Sequence, residues 1–255
     1  MTDDPAGTYY DAQTATVAVV AAEMARRWAA FDVAQVDASW PLVRDGVARA
    51  VAAGQIRAAA LPAQVIARTL TIAGLSPLAG TAVLPVAFAG FTSAGFPLAV
   101  ALDVAPILVK LAVARGVVPD LASAVGLRAL NMVASTEIGD ASRDAMGAGM
   151  RLEPQVTGWT RRTERGACDR CTVQAGKHFR HNQGFQRHPH CHCVHSPTTE
   201  TRKWSPTVRG PGMAVSGTPY SRVNAPARMS VLRIAQQSGS DTEYRDLLVA
   251  NGYAA

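Results

Sequence analysis

The sequence predicts a mainly α fold: a helical N-terminal region, then a small Cys/His cross-linked α+β module, then an extended C-terminal arm with short helices. Three observations predict it. Hydrophobic residues make up 48% of the 255 residues but aromatics only 6%, so Ala, Val and Leu carry the apolar surface, which suits helices packed on helices. Apolar residues recur at three- and four-residue steps through much of the first 150 positions. All four cysteines and all six histidines fall between Cys168 and His195. The expected divisions are an Ala-rich helical domain over 1–150, the Cys/His module over 151–200, and the arm with its short helices over 201–255. The first boundary is expected near Met150–Pro154.

In chain order, residues 13–36 carry Val17, Val20, Met24, Trp28 and Phe31 on one helical face. Ser39 reads as the cap of a second helix, with Pro41 in its first turn. Val43, Val47 and Val51 form its stripe, and Gly54 reads as its stop. Pro62 reads as the opening of a third helix reaching about Ala73. Residues 69–102 contain no charged side chain. Pro77, Pro85 and Pro97, with Gly74, Gly80, Gly90 and Gly95, cut that stretch into pieces too short to span a bilayer. Short buried helices or an oligomer-facing surface are expected there, with a membrane-active segment as the competing reading.

Pro119 opens a clear helix over 119–146. Leu127, Leu130, Ala134, Ile138, Ala141 and Ala145 form its apolar stripe. Glu137, Asp140, Arg143 and Asp144 are expected on its other faces, and Gly147 and Gly149 are expected to end it. Gln155–Thr163 reads as a strand leading into the cysteines. Residues 198–227 are rich in Pro, Gly, Ser and Thr and read as an arm. Ser240 to Glu243 form a capping box for a terminal helix that closes at Asn251-Gly252.

Charge is unevenly spread. Residues 1–160 hold 11 basic and 13 acidic side chains, net −2; residues 161–233 hold 13 and 3, net +10; residues 234–255 hold one and three, net −2. The basic block covers the cysteines and the loops after them. Such a cluster attracts nucleic acid or another acidic surface, or is simply a solvated basic face. Met1–Tyr10 is acidic and polar, so no secretory signal is expected and synthesis in a cytoplasm, where disulfides are rare, is.

The cysteine window has a chemistry of its own. Cys168-x-x-Cys171 is a knuckle that aims two thiolates at one ion, and His188, Cys191 and Cys193 arrive sixteen residues later. Zinc takes four sulfur and nitrogen ligands in a tetrahedron, and this set offers five: Cys168, Cys171, His188, Cys191 and Cys193. Cys168 and Cys171 are the firmest, while the other two places stay open among His188, Cys191 and Cys193. Two disulfides, or free thiols, are the competing readings. His190, His192 and His195 are weaker candidates, suited to orienting the thiolates. A structural zinc is the expected cofactor. The window is short of acidic groups, and no His-Glu-x-x-His, phosphate loop or Gly-x-Ser-x-Gly occurs, so no enzymatic role is expected.

At these residues the chain resembles a known family. Cys168-Asp169-Arg170-Cys171, Ala175-Gly176-Lys177 and the run from Gly184 through His195 resemble the module of MuF-type minor capsid proteins of tailed phages, especially actinobacterial ones. Ala134–Ala141, the run Gln155-Val156-Thr157-Gly158 and the Asn-Gly-Tyr ending are similar to that family too. His181, His190 and His192 depart from its pattern. The resemblance implies a virion structural protein of the capsid interior, made in the host cytoplasm and active in head morphogenesis and DNA packaging or delivery. It implies the portal protein, the major capsid protein and packaged DNA as partners. DNA contact is expected to run through phosphates without sequence preference. A homo-oligomer is compatible with the Ala-rich helices, and a membrane is not expected as a partner. A zinc-stabilised nucleic-acid-binding protein and a metal-dependent nuclease are the alternatives.

Overall fold

The computed structural model describes residues 4–78, 82–163, 167–181, 183–201 and 214–216, with single positions at 246, 249 and 250. The expected arm and the capping box at Ser240 lie outside them, apart from one short strand and those single positions. The elements are α1 (Pro5–Trp28), α2 (Val36–Ile72), α3 (Leu98–Leu102), α4 (Val104–Ala114), α5 (Pro119–Leu152), α6 (Asp169–Thr172), and strands β1 (Gly158–Arg162), β2 (His178–Arg180), β3 (Phe185–Arg187), β4 (Val194–Thr198) and β5 (Ala214–Ser216). The protein is mainly helical, with a small sheet and a Cys/His group late in the chain.

Helix α1 starts eight residues earlier than the periodicity of 13–36 suggests. Asp4 caps it, accepting from the Gly7 amide at 3.0 Å, and Pro5 occupies the first turn. It ends at Trp28, and a short turn of 3-10 helix at Val33–Gln35 leads into α2. Ser39 does not cap α2; its hydroxyl exchanges hydrogen bonds of 3.0 Å with the backbone of Asp32 and so pins the connection.

Helix α2 is one element of 37 residues, roughly 55 Å long. Neither Gly54 nor Pro62 breaks it, which corrects the expected stop and restart. A Cβ at Gly54 would lie 2.7 Å from Val20 Cγ2 and 2.8 Å from Ile138 Cδ1. Gly54 therefore lies where α1, α2 and α5 pack closely together. Pro62 lacks the N–H that the carbonyl four residues earlier would receive. That carbonyl, Ala58 O, instead accepts from Ser142 Oγ on α5 at 2.9 Å. Tyr9 OH shares the same hydroxyl at 2.6 Å.

The main core lies among α1, α2, α3, α4 and α5, with Val20, Met24, Trp28, Val47, Val51, Leu102, Val109, Leu130 and Ile138 at its centre. Helix α2 is long and apolar enough to cross a bilayer by length and composition; here it packs between α1 and α5. The uncharged stretch 69–102 supplies the end of α2, a 3-10 turn at Pro85–Phe88 and α3. Part of it is buried (Leu70, Phe88, Leu98, Leu102) and part faces out (Val86, Phe96, Val100).

Helix α5 does not end at Gly147 or Gly149 but runs through to Leu152. Gly149 faces Ile66, whose Cδ1 would lie 2.8 Å from an added Cβ. Beyond α5, the three-stranded antiparallel sheet has the order β2-β1-β4. Trp159 on β1 sits between Phe179 and Pro197 in the register. Strands β3 and β5 pair separately. A second core joins this sheet to the helices: Trp159, Phe179, Phe185 and Val194 cluster with Tyr9, Val65, Ile66, Leu70, Met146 and Met150. Apolar packing thus runs across the sequence boundary expected near Met150–Pro154.

Candidate metal centre

Three short pieces of chain build the centre. The first turn of α6 carries Cys168 at its N-cap and Cys171 inside it. The turn after β3 carries His188, and the segment entering β4 carries Cys191 and Cys193. The structure brings all five expected donors together in two groups. Cys168, Cys171 and His188 lie within 4.8 Å of one another, as do Cys171, Cys191 and Cys193. Cys171, Cys191 and Cys193 are buried and Cys168 is exposed; all four are free thiols.

The separations suit a tetrahedral ion. Zinc–sulfur bonds of about 2.3 Å put two thiolate ligands about 3.8 Å apart; Cys171 Sγ and Cys191 Sγ are 3.7 Å apart. A disulfide would need about 2.05 Å. His188 Nε2 lies 3.0 Å from Cys168 Sγ and 3.3 Å from Cys171 Sγ. A sulfur–nitrogen edge around zinc is about 3.6 Å, so the imidazole must back away by a few tenths of an ångström to admit the ion. Its tautomer is already set. His188 Nδ1 donates to the Pro189 carbonyl at 2.8 Å, which leaves the Nε2 lone pair of the neutral ring facing the thiols.

The electrostatics favour a thiolate at Cys191, whereas hydrogen bonding to Cys191, and then burial, pushes the Cys171 and Cys193 thiols up. Arg161 Nη1 donates to Cys171 Sγ at 3.3 Å. Arg143 Nη1 donates to the carbonyls of Cys191 and Cys193 at 3.2 and 3.1 Å. Hydrogen bonds with Cys171 and Cys193 hold the Cys191 thiol well below its usual range, and the Arg143 and Arg161 charges act in the same direction.

The floor of the centre is the Ala134–Ala141 turn of α5 and the residues beside it. The side chains expected to face outward there do not: Asp140 and Arg143 are fully buried and Glu137 is 9% exposed. Asp140 accepts from Arg143 Nη2 at 2.6 Å and from Arg187 Nε at 3.0 Å. Arg187 Nη2 bonds the second Asp140 oxygen and donates to Ser93 Oγ at 2.8 Å. Thr136 Oγ1 accepts from the His190 amide at 2.9 Å, and Ser135 Oγ meets His190 Nδ1 at 2.6 Å. His190 is the one non-glycine with a left-handed backbone among the described residues, at φ 62°. Those two bonds offset the strain of that conformation and pin the turn between His188 and Cys191 to α5. His190 is thus an anchor rather than a ligand.

His195 has a third role. It is buried beside Trp159 and Phe185, at ring-centroid distances of 4.4 and 4.7 Å, and burial pushes its pKa well below the usual value, so the ring is neutral. Arg161 lies 4.0 Å over the Phe185 ring. Sequence reasoning missed Asp140, Arg143, Arg161 and Arg187. The available signal was Ser135, Thr136, Asp140 and Arg143 sharing helical faces with small apolar residues.

Fold and site together define a helical protein whose late Cys/His group can hold a metal ion. No family model, curated protein or solved structure matches the chain.

Proposed function

We propose that this chain is an interior minor capsid protein of a tailed phage, of the MuF type, in which one structural zinc ion clamps the 168–193 segment onto helix α5. One observation carries the reading. Two of the stretches that carry the resemblance, Ala134–Ala141 and Gly184–His195, are about 50 residues apart in sequence yet form one contact surface, through Asp140 with Arg187 and through Ser135 and Thr136 with His190. A motif pair that belongs together physically is better support than two separate matches.

The zinc ligands in this reading are Cys168, Cys171 and His188, with Cys191, 3.7 Å from Cys171, moving in as the fourth and Cys193 left beside them. Four protein ligands close the tetrahedron and leave no open position for a substrate, so the role is structural and no catalysis is proposed. The loops around the ion are short of apolar side chains, and metal binding then contributes folding free energy directly. The portal protein, the major capsid protein and packaged DNA are the partners in this reading, with DNA held through phosphates.

Two measurements test it. Metal analysis of protein purified without an affinity metal should give one zinc per chain and four free thiols on unfolding. Mass spectrometry of purified virions of the encoding phage should find this chain at far lower copy number than the major capsid protein. Its absence from virions would overturn the phage reading.

A further inference from the structure

The five donors form two trios that share Cys171, and no set of four among the described residues lies as close together. Zinc uses four donors, so one sulfur is left over. The surplus has a chemical use. We propose that the centre also takes two monovalent soft ions, copper(I) by chemistry, one in each trio, with Cys171 Sγ bridging them. The inference rests on the metal-holding reading of the same residues and extends it.

Three features carry it. The first is coordination number. A closed-shell monovalent ion such as copper(I) is satisfied by three soft donors, and each trio offers three: two sulfurs and the His188 nitrogen in one, three sulfurs in the other. Thiolates are the donors that select copper(I).

The second is charge. Two copper(I) ions with four thiolates leave two negative charges, and one zinc ion with the three thiolates of Cys168, Cys171 and Cys191 leaves one. Arg161, whose Nη1 is 3.3 Å from Cys171 Sγ, and Arg143, which donates to the carbonyls of Cys191 and Cys193, face that charge. Two divalent ions with four thiolates would leave no negative charge for the two guanidiniums to face. The arrangement therefore suits one divalent or two monovalent ions.

The third is the placement of Cys171. It belongs to both trios, it is buried, and the Arg161 N–H that it receives stabilises a sulfur carrying the electron density of a bridge. Binding transfers no electron. The protons that the thiols still hold leave to solvent, and two copper(I) ions on four thiolates leave the two negative charges counted above.

The test is a titration of the reduced, metal-free full-length chain under anaerobic conditions, with copper(I) delivered against bicinchoninate as competitor. Two equivalents are expected, with the orange-red emission of a copper(I)–thiolate cluster and a copper–copper vector in X-ray absorption. Zinc is expected to saturate the same protein at one equivalent. Cys193→Ser should bind one copper(I) and keep its one zinc. Saturation of the wild-type chain at one copper(I), or two equivalents retained by Cys193→Ser, overturns the inference and leaves the zinc reading standing. Failure to bind either metal overturns both. The wild-type stoichiometry needs no substitution, so a variant that does not fold leaves the test intact.

Discussion

Asp140 on α5 accepts from Arg187 Nε at 3.0 Å, across 47 residues of sequence, with the Asp140 carboxylate fully buried. The same carboxylate holds Arg143. Asp140→Asn keeps the shape and removes the charge, so two buried guanidiniums lose their counter-ion. The expected loss is about 3–5 kcal/mol of stability, read by chemical denaturation. A loss below about 1 kcal/mol would mean that solvent reaches this network in solution.

Ser142→Ala should expose the logic of α2. The Ala58 carbonyl and the Tyr9 hydroxyl both lose a partner at a buried site, at a cost of about 1–3 kcal/mol. In a Pro62→Ala background the residue at 62 regains an N–H for Ala58 O, and the cost of removing Ser142 should shrink. A double-mutant cycle measures that coupling; additive effects would show that the two residues act independently.

Gly54→Ala sets two effects against each other. Alanine gains about 1 kcal/mol of helix propensity over glycine. Its Cβ would sit 2.7 Å from Val20 and 2.8 Å from Ile138, and overpacking of this kind costs about 1–3 kcal/mol. Overpacking should win, giving a lower Tm. An unchanged or higher Tm would show that Ile138 can swing aside without loss.

Burial, reinforced by the nearby Asp140 charge, pushes the Glu137 carboxyl up to about 8 from an ordinary 4.5. The folded protein then holds a proton that the unfolded chain has released. Stability from this group is fully present below about pH 4.5 and falls as pH rises towards about 8, by no more than about 1.4 kcal/mol per pH unit. Glu137→Gln should flatten the fall over that window in denaturation midpoints measured against pH. An identical profile in the variant would assign the slope to other groups.

Chelation should loosen the module before the helical body. Trp159 is buried against Phe179 and Phe185 at 4.4 and 5.2 Å, so its emission should shift to the red when the metal is removed, while far-ultraviolet circular dichroism changes little. Cys171→Ser, which strikes the residue common to both trios, should lower zinc affinity more than Cys193→Ser. Equal losses would argue that no donor is shared.

The helices were legible where periodic apolar residues run without interruption, as from Leu127 to Ala145. The continuity of α2 was not, because Gly54 and Pro62 carry strong local breaking signals. Each is overruled from a distance, the glycine by the approach of Val20 and Ile138, the proline by Ser142. The five donors were legible because ligand chemistry restricts residue types and spacing. Their floor was hidden for the opposite reason: charged residues at helical spacing usually face water, and nothing local tells Asp140 that Arg187 will arrive. Even the sense of the module's dependence escaped the sequence, since its aromatic core is closed by Tyr9 and the ends of α2 and α5.

That shared core has a consequence for biosynthesis. Tyr9 leaves the ribosome about 150 residues before Trp159, and both belong to the same apolar cluster. At elongation rates of about 5–20 residues per second the interval is about 8–30 seconds. Once made, Val65, Ile66 and Leu70 lack the cover of Trp159, Phe179 and Phe185 until those residues arrive, so the nascent helices offer chaperones a sticky surface that vanishes only when the last strands and their ligands emerge. Chains stalled between α5 and β1 are therefore the species to look for in inclusion bodies and in trigger-type chaperone pull-downs.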